Sequence, residues 1–594
     1  MSEILQVFCI LFSAAMFFLG IPNDFFKFGS PVIGFIALIP FYISMKNARS
    51  WKNGAVLGFL HATFVHILSS SWLSNFKDFA VFTLGASAIG TGVIGAFFGS
   101  VLYFSFCRQI FSEDLIFQDL QEDFCRHNKA CSFFRYFSVS ETTVRTVFFA
   151  SVWTLWEWTK SNGFLGYPWG TLSMTAYRYK SIIQIADITG TYGITFLLAL
   201  FSANAAEFIL FTCKDNCEKC RNKNPLKNLP KPLKNSMLLC IVLLASAHFY
   251  GFHQYSKIRI PEKCLDVLIV QQNTDPWTGQ NDLKSIRTSQ KLCTEKLNEK
   301  NPFTNRILSK PDLIVWSEAV LRYPFPQGEN YYSNTPPENP LLEYIDKTNV
   351  PFIIGAPYTI DRKNRLFGNA AVLIDASGNF KGAYCKIHLV PFAEVIPGIE
   401  FSWVRNAMKS MVGFSNGWQA GNQYTLFEVN ARANPNFKPI APIVYAEKKS
   451  TPRPTVKFCT PICFEDAFPS VCRKLSQSGA ELFVNLTDDS WSLTSYAEYQ
   501  HFVIAAMRSI EFRKTMIRST NSGYSAVIDP AGRILKDLPL FEQAAMRCTV
   551  PVYQNQTTVF EKFGFLFTFL CLIFTVLVFG QKKISRQCAI LESN

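Results

Sequence analysis

The chain combines two patterns of apolar and polar residues. Apolar runs of about 20 residues, the length that spans a roughly 30 Å hydrocarbon core, crowd the N-terminal part of the sequence. They lie at 4–21, 30–45, 54–73, 81–106, 144–160, 185–212 and 236–253, and a further run lies alone at 563–580. The pattern predicts eight membrane-spanning helices, and no convincing cleavage site marks the first of them as a signal peptide.

The second pattern begins near Lys263, where short apolar runs rich in β-branched residues alternate with polar turns. Such runs are typical of strands buried on both faces. They lie at 265–273, 312–319, 351–358, 369–375, 456–464, 480–487, 524–529 and 546–553. Together with a helical stretch at 493–513, they predict a mixed α/β sandwich domain.

Composition and charge support a membrane protein and orient it. Hydrophobic residues make up 49% of the chain and charged residues only 17%, and the net charge is +14. Basic residues cluster in the links between runs two and three and between runs six and seven, and in the tail after run eight. By the positive-inside rule both termini are cytoplasmic and the α/β region is extracytoplasmic. The positive charge therefore reflects topology and a phospholipid surface, so we expect no nucleic-acid partner.

The predicted domains follow from this topology. Residues 1–255 hold seven transmembrane helices with their cytoplasmic loops, 260–555 form the outward α/β domain, and 560–594 form the eighth helix and a cytoplasmic tail. Two insertions, at 108–143 and 432–455, are predicted to be a cytoplasmic segment with an amphipathic helix and an exposed loop.

Three segments each place a reactive side chain just beyond a predicted strand. Glu318 stands in WSEA, Lys386 and Glu394 in YCKIHLVPFAE, and Cys463 and Glu465 in PICFED. A thiol, a carboxylate and an amine suit covalent acyl transfer. The thiol attacks a carbonyl, the carboxylate accepts its proton, and the ammonium stabilises the oxyanion.

Each residue alone has a plainer interpretation. Glu318 could be a surface carboxylate, Lys386 a solvated amine and Cys463 a buried inert thiol, with Cys459 and Cys385 as rival nucleophiles. Two further candidates are weaker. Ser415 lies in a G-F-S-N-G match to the nucleophile elbow but without the required strand and helix. His501 is a possible base, although the orientation of a loop is the preferred interpretation.

The conjunction of these motifs resembles the Glu-Lys-Cys triad of the nitrilase superfamily. The wider chain resembles the apolipoprotein N-acyltransferase family, the membrane-embedded branch of that superfamily. The matching segments are GYPWG at 166–170, ADITGTYGITFLL at 186–198, NLTDDSW at 485–491 and RSTNSG at 518–523. The resemblance covers nearly the whole chain, including helix count and domain order. It implies a nitrilase-like αββα sandwich carried by an eight-helix transmembrane bundle.

The resemblance also implies catalytic roles. Glu318 becomes the general base, Lys386 the oxyanion stabiliser and Cys463, rather than Cys459, the acylated thiol. Glu394 matches a second essential carboxylate, and the backbone N–H of Phe464 helps to hold the oxyanion.

Three more residues match the family's pattern, and two positions depart from it. Glu465 matches an acidic residue beside the nucleophile, and Trp277 and Trp491 resemble substrate-binding tryptophans on the family's substrate-entry arms. Phe464 stands where the family often has Tyr, so any role of a hydroxyl there is absent. Ala393 replaces a frequent Gly.

The implied reaction has two steps. An acyl chain passes from a phospholipid to the thiol, giving a thioester and a lysophospholipid. It then passes to the α-amino group of a diacylglyceryl-Cys at the N-terminus of an apolipoprotein. The resemblance implies neither metal nor organic cofactor, and a monomer in the bacterial inner membrane with its catalytic domain on the periplasmic side.

Two alternatives stay open from the sequence. A membrane-tethered nitrilase or amidase would act on small nitriles or amides, and release of ammonia without phospholipid would indicate it. A transporter with an outward binding domain would support flux in vesicles even after replacement of Cys463.

Overall fold

The computed structural model of the chain describes most of the sequence. The described residues are 1–75, 81–106, 140–215, 229–274, 282–300, 302–303, 305–396, 398–399, 401–406, 417–433 and 454–591. The chain divides into two compact units. A helical unit comprises Met1–Ser74, Ala80–Tyr255 and Phe565–Asn594, and an α/β unit comprises Asn75–Phe79 and Ser256–Gly564. Most of each predicted insertion (108–143 and 432–455) lies outside the described residues.

The helical unit is built from the predicted apolar runs. Its described α-helices are α1 (Glu3–Gly20), α2 (Pro31–Ile36), α3 (Ile39–Lys46), α4 (Trp51–Ser69), α5 (Ser87–Tyr103), α6 (Glu141–Ser161), α7 (Ala186–Thr189), α8 (Thr191–Asp215) and α9 (Lys231–Ser256), and α16 (Leu566–Leu591) returns to it from the C-terminal part. Four helices in the described part are long and apolar enough to cross a membrane: Glu3–Gly20, Thr83–Tyr103, Thr191–Cys213 and Lys231–Ser256. The other predicted runs are also helical. A membrane-spanning position for all eight runs stays a prediction.

Two of the predicted helical runs are interrupted, one near a proline and one at a glycine. The run at 30–45 divides into α2 and α3, and Pro40, which has no N–H to donate, lies in the first turn of α3. The run at 185–212 divides into α7 and α8, because Gly190 takes a φ of 64° that ends α7. Both runs therefore break where the apolar pattern alone predicts a continuous helix.

The α/β unit contains thirteen described strands. They are β1 (Lys263–Gln271), β2 (Leu313–Trp316), β3 (Phe352–Asp361), β4 (Leu366–Ile374), β5 (Phe380–Cys385), β6 (Phe427–Asn430), β7 (Arg432–Ala433), β8 (Thr455–Cys459), β9 (Leu482–Thr487), β10 (Thr515–Thr520), β11 (Ala526–Ile528), β12 (Ile534–Asp537) and β13 (Ala544–Val552). The second pattern predicts eight of them, and β5, β6, β7, β10 and β12 were not predicted. The helices of this unit are α10 (Asp282–Leu297), α11 (Glu329–Tyr332), α12 (Leu341–Thr348), α13 (Pro469–Gln477), α14 (Ser495–Phe512) and α15 (Val559–Phe563).

These strands form two mixed sheets. The first has the order β13-β1-β2-β3-β4-β5, with β7 also paired to β1, and the second has the order β12-β11-β10-β9-β8-β6. Neighbouring strands β1, β2 and β3 are parallel, as are β8, β9 and β10. Side chains of β10 reach the first sheet, where Thr515 Oγ1 donates to the Pro551 carbonyl at 2.7 Å. Buried apolar side chains, with Trp316 and Phe352 fully enclosed, fill the core around the first sheet.

One strand ends earlier than its apolar pattern predicts. The prediction of a strand over 456–464 that runs to Cys463 is wrong, because β8 ends at Cys459. Pro461 lacks the N–H that would continue the ladder, and Cys463 has a φ of 48°. The nucleophile candidate therefore lies in a tight 3₁₀ turn, Cys463–Ala467, rather than at a strand end.

Candidate active site

Glu318 lies two residues beyond β2 and is buried, with 6% of its surface exposed. Its Oε1 accepts a hydrogen bond from Asn369 Nδ2 at 2.7 Å, and its Oε2 accepts one from the Asp488 backbone N–H at 2.8 Å. Burial raises the pKa of this carboxyl to about 7, although the Lys386 ammonium opposes the shift. The interpretation as a surface carboxylate is therefore wrong, and Glu318 can exchange a proton near neutral pH.

Lys386 follows β5 directly and is almost completely buried, with 1% of its surface exposed. Its Nζ lies 3.6 Å from Glu318 Oε1 and 2.9 Å from Glu394 Oε2. Burial alone would lower the pKa of this amine. The Glu394 and Glu318 carboxylates outweigh it and hold the pKa well above the usual value. Lys386 is thus a buried ammonium, not the solvated side chain of the plainer interpretation.

Asn369, on β4, joins the two carboxylates and was not singled out by the sequence. Its Nδ2 donates to Glu318 Oε1 at 2.7 Å and to Glu394 Oε1 at 2.9 Å. Its backbone carbonyl accepts the Lys386 N–H at 2.8 Å. The one available signal was a lone amide side chain within an otherwise apolar strand.

Cys463 is half-buried and lies in the electrostatic field of both groups. Burial raises the pKa of its thiol well above the usual value. The Glu318 carboxylate adds to that rise and the Lys386 ammonium opposes it. The thiol is therefore protonated at neutral pH and needs a base to become a nucleophile. Burial also raises the pKa of the rival Cys385 thiol, to about 12.

Glu465 is fully buried and ties the Cys463 turn to the segment that carries Lys386. Its carboxylate accepts hydrogen bonds from the N–H groups of Ile387 at 2.7 Å, His388 at 3.0 Å and Ile462 at 2.8 Å. The Tyr384 hydroxyl donates to it at 3.0 Å. Burial raises the pKa of Glu465 to about 7 and these N–H donors oppose the rise. Glu465 thus positions two segments and has its oxygens fully occupied.

Backbone strain is concentrated at the same place. Ala319, next to Glu318, has a φ of 58°, Phe392, two residues before Glu394, has a φ of 64°, and Cys463 has a φ of 48°. Non-glycine residues in this region cost free energy and persist only where surrounding contacts fix them. The strained backbone therefore supports a functional role for the loops that contain Glu318, Glu394 and Cys463.

The remaining predicted residues have mixed outcomes. The Phe464 ring is buried and packs against Phe468 with centroids 4.8 Å apart. Trp491 is half-buried in a short turn, Ser490–Ser492, that follows β9. Trp277 lies outside the described residues, as does Ser415. The roles of all four stay predictions.

The α/β unit is similar to a known class of enzymes, the carbon-nitrogen hydrolases. A family model described as carbon-nitrogen hydrolase matches residues 291–552, which include Glu318, Lys386 and Cys463. A second model, described as the N-terminal domain of apolipoprotein N-acyltransferase, matches residues 13–204. Among solved structures, yeast Nit3, from Saccharomyces cerevisiae and described as a member of the nitrilase superfamily, is similar with a TM-score of 0.31 and 13% identity over 50% of this chain and 93% of its own.

Curated relatives then identify the family. Apolipoprotein N-acyltransferase 2 of Treponema denticola is 38% identical over 97% of this chain and 98% of its own length. The protein of the same description from Treponema pallidum is 34% identical over 93% of this chain and 90% of its own. The apolipoprotein N-acyltransferase of Borreliella burgdorferi is 29% identical over 94% and 92%. The chain belongs to the apolipoprotein N-acyltransferase family, a family of bacterial membrane enzymes, and it is an acyltransferase.

Proposed function

We propose that the chain moves an acyl chain from a phospholipid, through a thioester on Cys463, to the N-terminal amine of a diacylated apolipoprotein. The observation that carries this proposal is the group formed by the buried Glu318 and Lys386 and the half-buried Cys463. In it the charges of a base that titrates near neutral pH and of a permanent ammonium act on a protonated thiol.

In the first step Glu318 accepts the Cys463 proton as Sγ attacks the ester carbonyl of the phospholipid. The carbonyl oxygen becomes an oxyanion, which the Lys386 ammonium and the Phe464 N–H stabilise. When the ester C–O bond breaks, Glu318 returns the proton to the departing alkoxide. The products are an acyl thioester and a neutral lysophospholipid hydroxyl, so protons balance over the step.

In the second step the α-amino group of the diacylglyceryl-Cys attacks the thioester carbonyl. Glu318 accepts a proton from the attacking amine and gives it to the departing Cys463 sulfur. The amide product leaves and the thiol is restored for another cycle. The same base and the same ammonium therefore serve both half-reactions, as the two-step scheme requires.

Hydrogen bonds from neighbouring residues hold the proposed catalytic groups in place. Glu394 and Asn369 fix the ammonium and the base, and Glu465 aligns the segments that carry Lys386 and Cys463. Trp277 and Trp491 are proposed to contact the lipid substrates, because amphipathic aromatic rings suit a site that meets acyl chains and water.

The proposed topology places this site where both substrates are anchored. Eight helices, seven within 1–255 and one within 560–594, would hold the 260–555 domain, an αββα sandwich, on the periplasmic side of the bacterial inner membrane. We propose that the enzyme acts there as a monomer. The basic cytoplasmic segments and the apolar helices support this arrangement.

Reconstitution tests the function. The purified chain, a phospholipid with an isotope-labelled acyl chain and a synthetic diacylated lipopeptide should yield the labelled triacylated peptide and lysophospholipid. Cys463→Ser should yield neither. Transfer that survives in Cys463→Ser would refute the thioester route, and ammonia release from small amides without acyl transfer would support the amidase alternative.

A further inference from the structure

Behind the nucleophile turn, four buried charged side chains close a ring of ion pairs. His501 on α14 contacts Asp489 Oδ1 through Nδ1 and Asp466 Oδ1 through Nε2, both at 2.8 Å. Arg518 on β10 pairs with the other oxygens of the same carboxylates, with Asp489 Oδ2 at 2.9 Å through Nη2 and with Asp466 Oδ2 through Nη1. All four side chains are at most 5% exposed.

The geometry defines the protonation state of His501. Both ring nitrogens face carboxylate oxygens, and a carboxylate only accepts hydrogen bonds. A neutral imidazole would point a lone pair at one of these carboxylates, so the ring fits an imidazolium that donates twice. Burial would lower the pKa of His501, but Asp466 and Asp489 outweigh it and raise the pKa to about 9.

The charges of this ring then balance. Arg518 and His501 carry two positive charges, and Asp466 and Asp489 carry two negative ones. Glu498, one turn earlier on α14, accepts the Ser492 hydroxyl at 2.8 Å on Oε1. No donor in the described part of the chain reaches its Oε2. Burial and the neighbouring Asp489 raise the pKa of Glu498 well above its usual value, which favours its neutral form beside the ring.

The ring joins the turn that carries the proposed nucleophile to the segment that hydrogen-bonds to the proposed base. Asp466 belongs to the same 3₁₀ turn as Cys463. Asp489 follows Asp488, whose backbone N–H holds Glu318 Oε2 at 2.8 Å. A shift of the Asp489 carboxylate therefore moves the peptide that orients the base, and a shift of Asp466 moves the turn that carries the thiol.

We propose that His501, in its imidazolium form, is a positioning residue that aligns Glu318 with Cys463 through Asp489 and Asp466. The inference rests on the proposed function of Glu318 and Cys463. Loss of the imidazolium proton sets one nitrogen lone pair against a carboxylate and leaves the ring with a net negative charge. Acylation of Cys463 therefore weakens at alkaline pH as His501 titrates, with Asp466, Asp489, Arg518 and Glu498 as the charged or titratable groups that face it.

The test compares two variants of the full-length enzyme in detergent. His501→Asn keeps an amide donor toward Asp489 but leaves the ring one positive charge short. The double variant His501→Asn/Asp466→Asn keeps that donor and restores charge balance. The initial rate of thioester formation on Cys463 is measured from pH 6 to about 10 with mixed micelles of dioleoyl phosphatidylethanolamine, across the range in which an imidazolium of this kind titrates.

We expect the wild-type rate to fall above about pH 9. His501→Asn should lose about 10- to 100-fold in rate at pH 8 and show no alkaline fall. A loss of this size follows when the hydrogen-bond partners of metal ligands are removed, a comparable positioning role. The double variant should recover most of that loss and also lack the alkaline fall. His253→Asn, at an exposed His on α9, controls for the exchange itself.

Three results would overturn the inference: a His501→Asn rate and pH profile equal to wild type, an alkaline fall that persists in His501→Asn, or a double variant that is slower than the single one. Thermal unfolding of each variant shows whether it is folded, and if His501→Asn does not fold, the pH profile of the double variant decides. A wild-type enzyme that forms no thioester would instead contradict the proposed function, so the two failures are distinguishable.

Discussion

Each unit buries a lysine beside a glutamate, and the two pairs differ in what surrounds them. In the helical unit Lys160 and Glu157 lie three residues apart on α6, and in the α/β unit Lys386 and Glu318 come together from different strands. Lys160 and Lys386 are 6% and 1% exposed. Burial alone therefore does not separate a structural charge from a catalytic one.

The hydrogen-bond partners do separate them. Lys160 Nζ donates to the backbone carbonyls of Trp169 at 2.6 Å and Gly170 at 2.9 Å. Glu157 accepts from three neutral groups, the Trp153 indole, the Leu172 N–H and the Thr195 hydroxyl. Neutral partners of fixed geometry satisfy both charges, which is the pattern of a buried pair that holds a loop against a helix.

The pair in the α/β unit is held largely by other ionisable groups. Lys386 contacts two carboxylates, and the charge states of Glu318, Lys386 and Cys463 depend on one another. Titratable groups whose charge states depend on one another in this way are typical of active sites. A functional lysine–glutamate pair is therefore distinguished by ionisable neighbours more than by the depth at which the pair is buried.

The largest predicted effect comes from replacing each lysine by methionine, which keeps an unbranched side chain of similar size and removes the charge. Lys386→Met removes the oxyanion partner and should lower the rate of thioester formation by about 10²- to 10³-fold or more. The rate is measured by trapping acyl-enzyme after mixing with phospholipid. A Lys386→Met enzyme that acylates at the wild-type rate would remove its assigned role.

The matched variant Lys160→Met should act on the fold instead. It leaves two backbone carbonyls without a donor and Glu157 without a nearby cation, a loss of about 3–5 kcal/mol in unfolding free energy. We expect a lower thermal midpoint in detergent and an acylation rate per folded molecule within a fewfold of wild type. If Lys160→Met slowed acylation as much as Lys386→Met and kept the wild-type stability, the distinction between a structural and a catalytic pair would be contradicted.

A smaller effect is expected at Asn369, which bridges the carboxylates around Lys386. Asn369→Leu removes the donor to both Glu318 and Glu394 and should slow acylation by about 10- to 100-fold, the equivalent of two hydrogen bonds of ordinary net strength. Asn298→Leu, at an exposed position, serves as the control. An unchanged rate in Asn369→Leu would mean that Glu394 and Lys386 hold the base without it.

The smallest predicted effect is the pH dependence of stability. The pKa of His501 is raised from 6.5 to about 9 in the folded chain, so its ion pairs stabilise the fold fully below pH 6.5. That contribution falls as the pH rises and is lost above about pH 9. The difference in thermal midpoint between wild type and His501→Asn should therefore be largest in the acidic range and shrink toward pH 9. A difference that grows with pH would contradict the imidazolium assignment.

The sequence predicted the parts of the site that lie in short motifs. WSEA, YCKIHLVPFAE and PICFED located Glu318, Lys386 and Cys463, and a β-branched run located the strand that precedes Glu318. The strand that precedes Lys386, β5, was not predicted. It missed the end of β8 at Cys459, because hydrophobicity continues past the point where Pro461 and the positive φ of Cys463 stop the ladder.

The contacts between distant segments were beyond the reach of the sequence. Asn369 meets Glu318 across 51 positions, and Arg518 meets Asp466 across 52. Such contacts follow from the order in which strands pair in the two sheets, which local periodicity does not encode. His501 was interpreted as a residue that orients a loop, and its contact with Asp489 agrees with that interpretation.

Acylation of Cys463 is tested most directly by the mass of the intact chain after incubation with a phospholipid of a single acyl composition. We predict one added acyl group, removable by hydroxylamine at neutral pH, on the peptide that contains Cys463, and no such mass on Cys463→Ser. An adduct mapped to Cys459 or Cys385, or no adduct on an enzyme that still transfers acyl chains, would contradict the account.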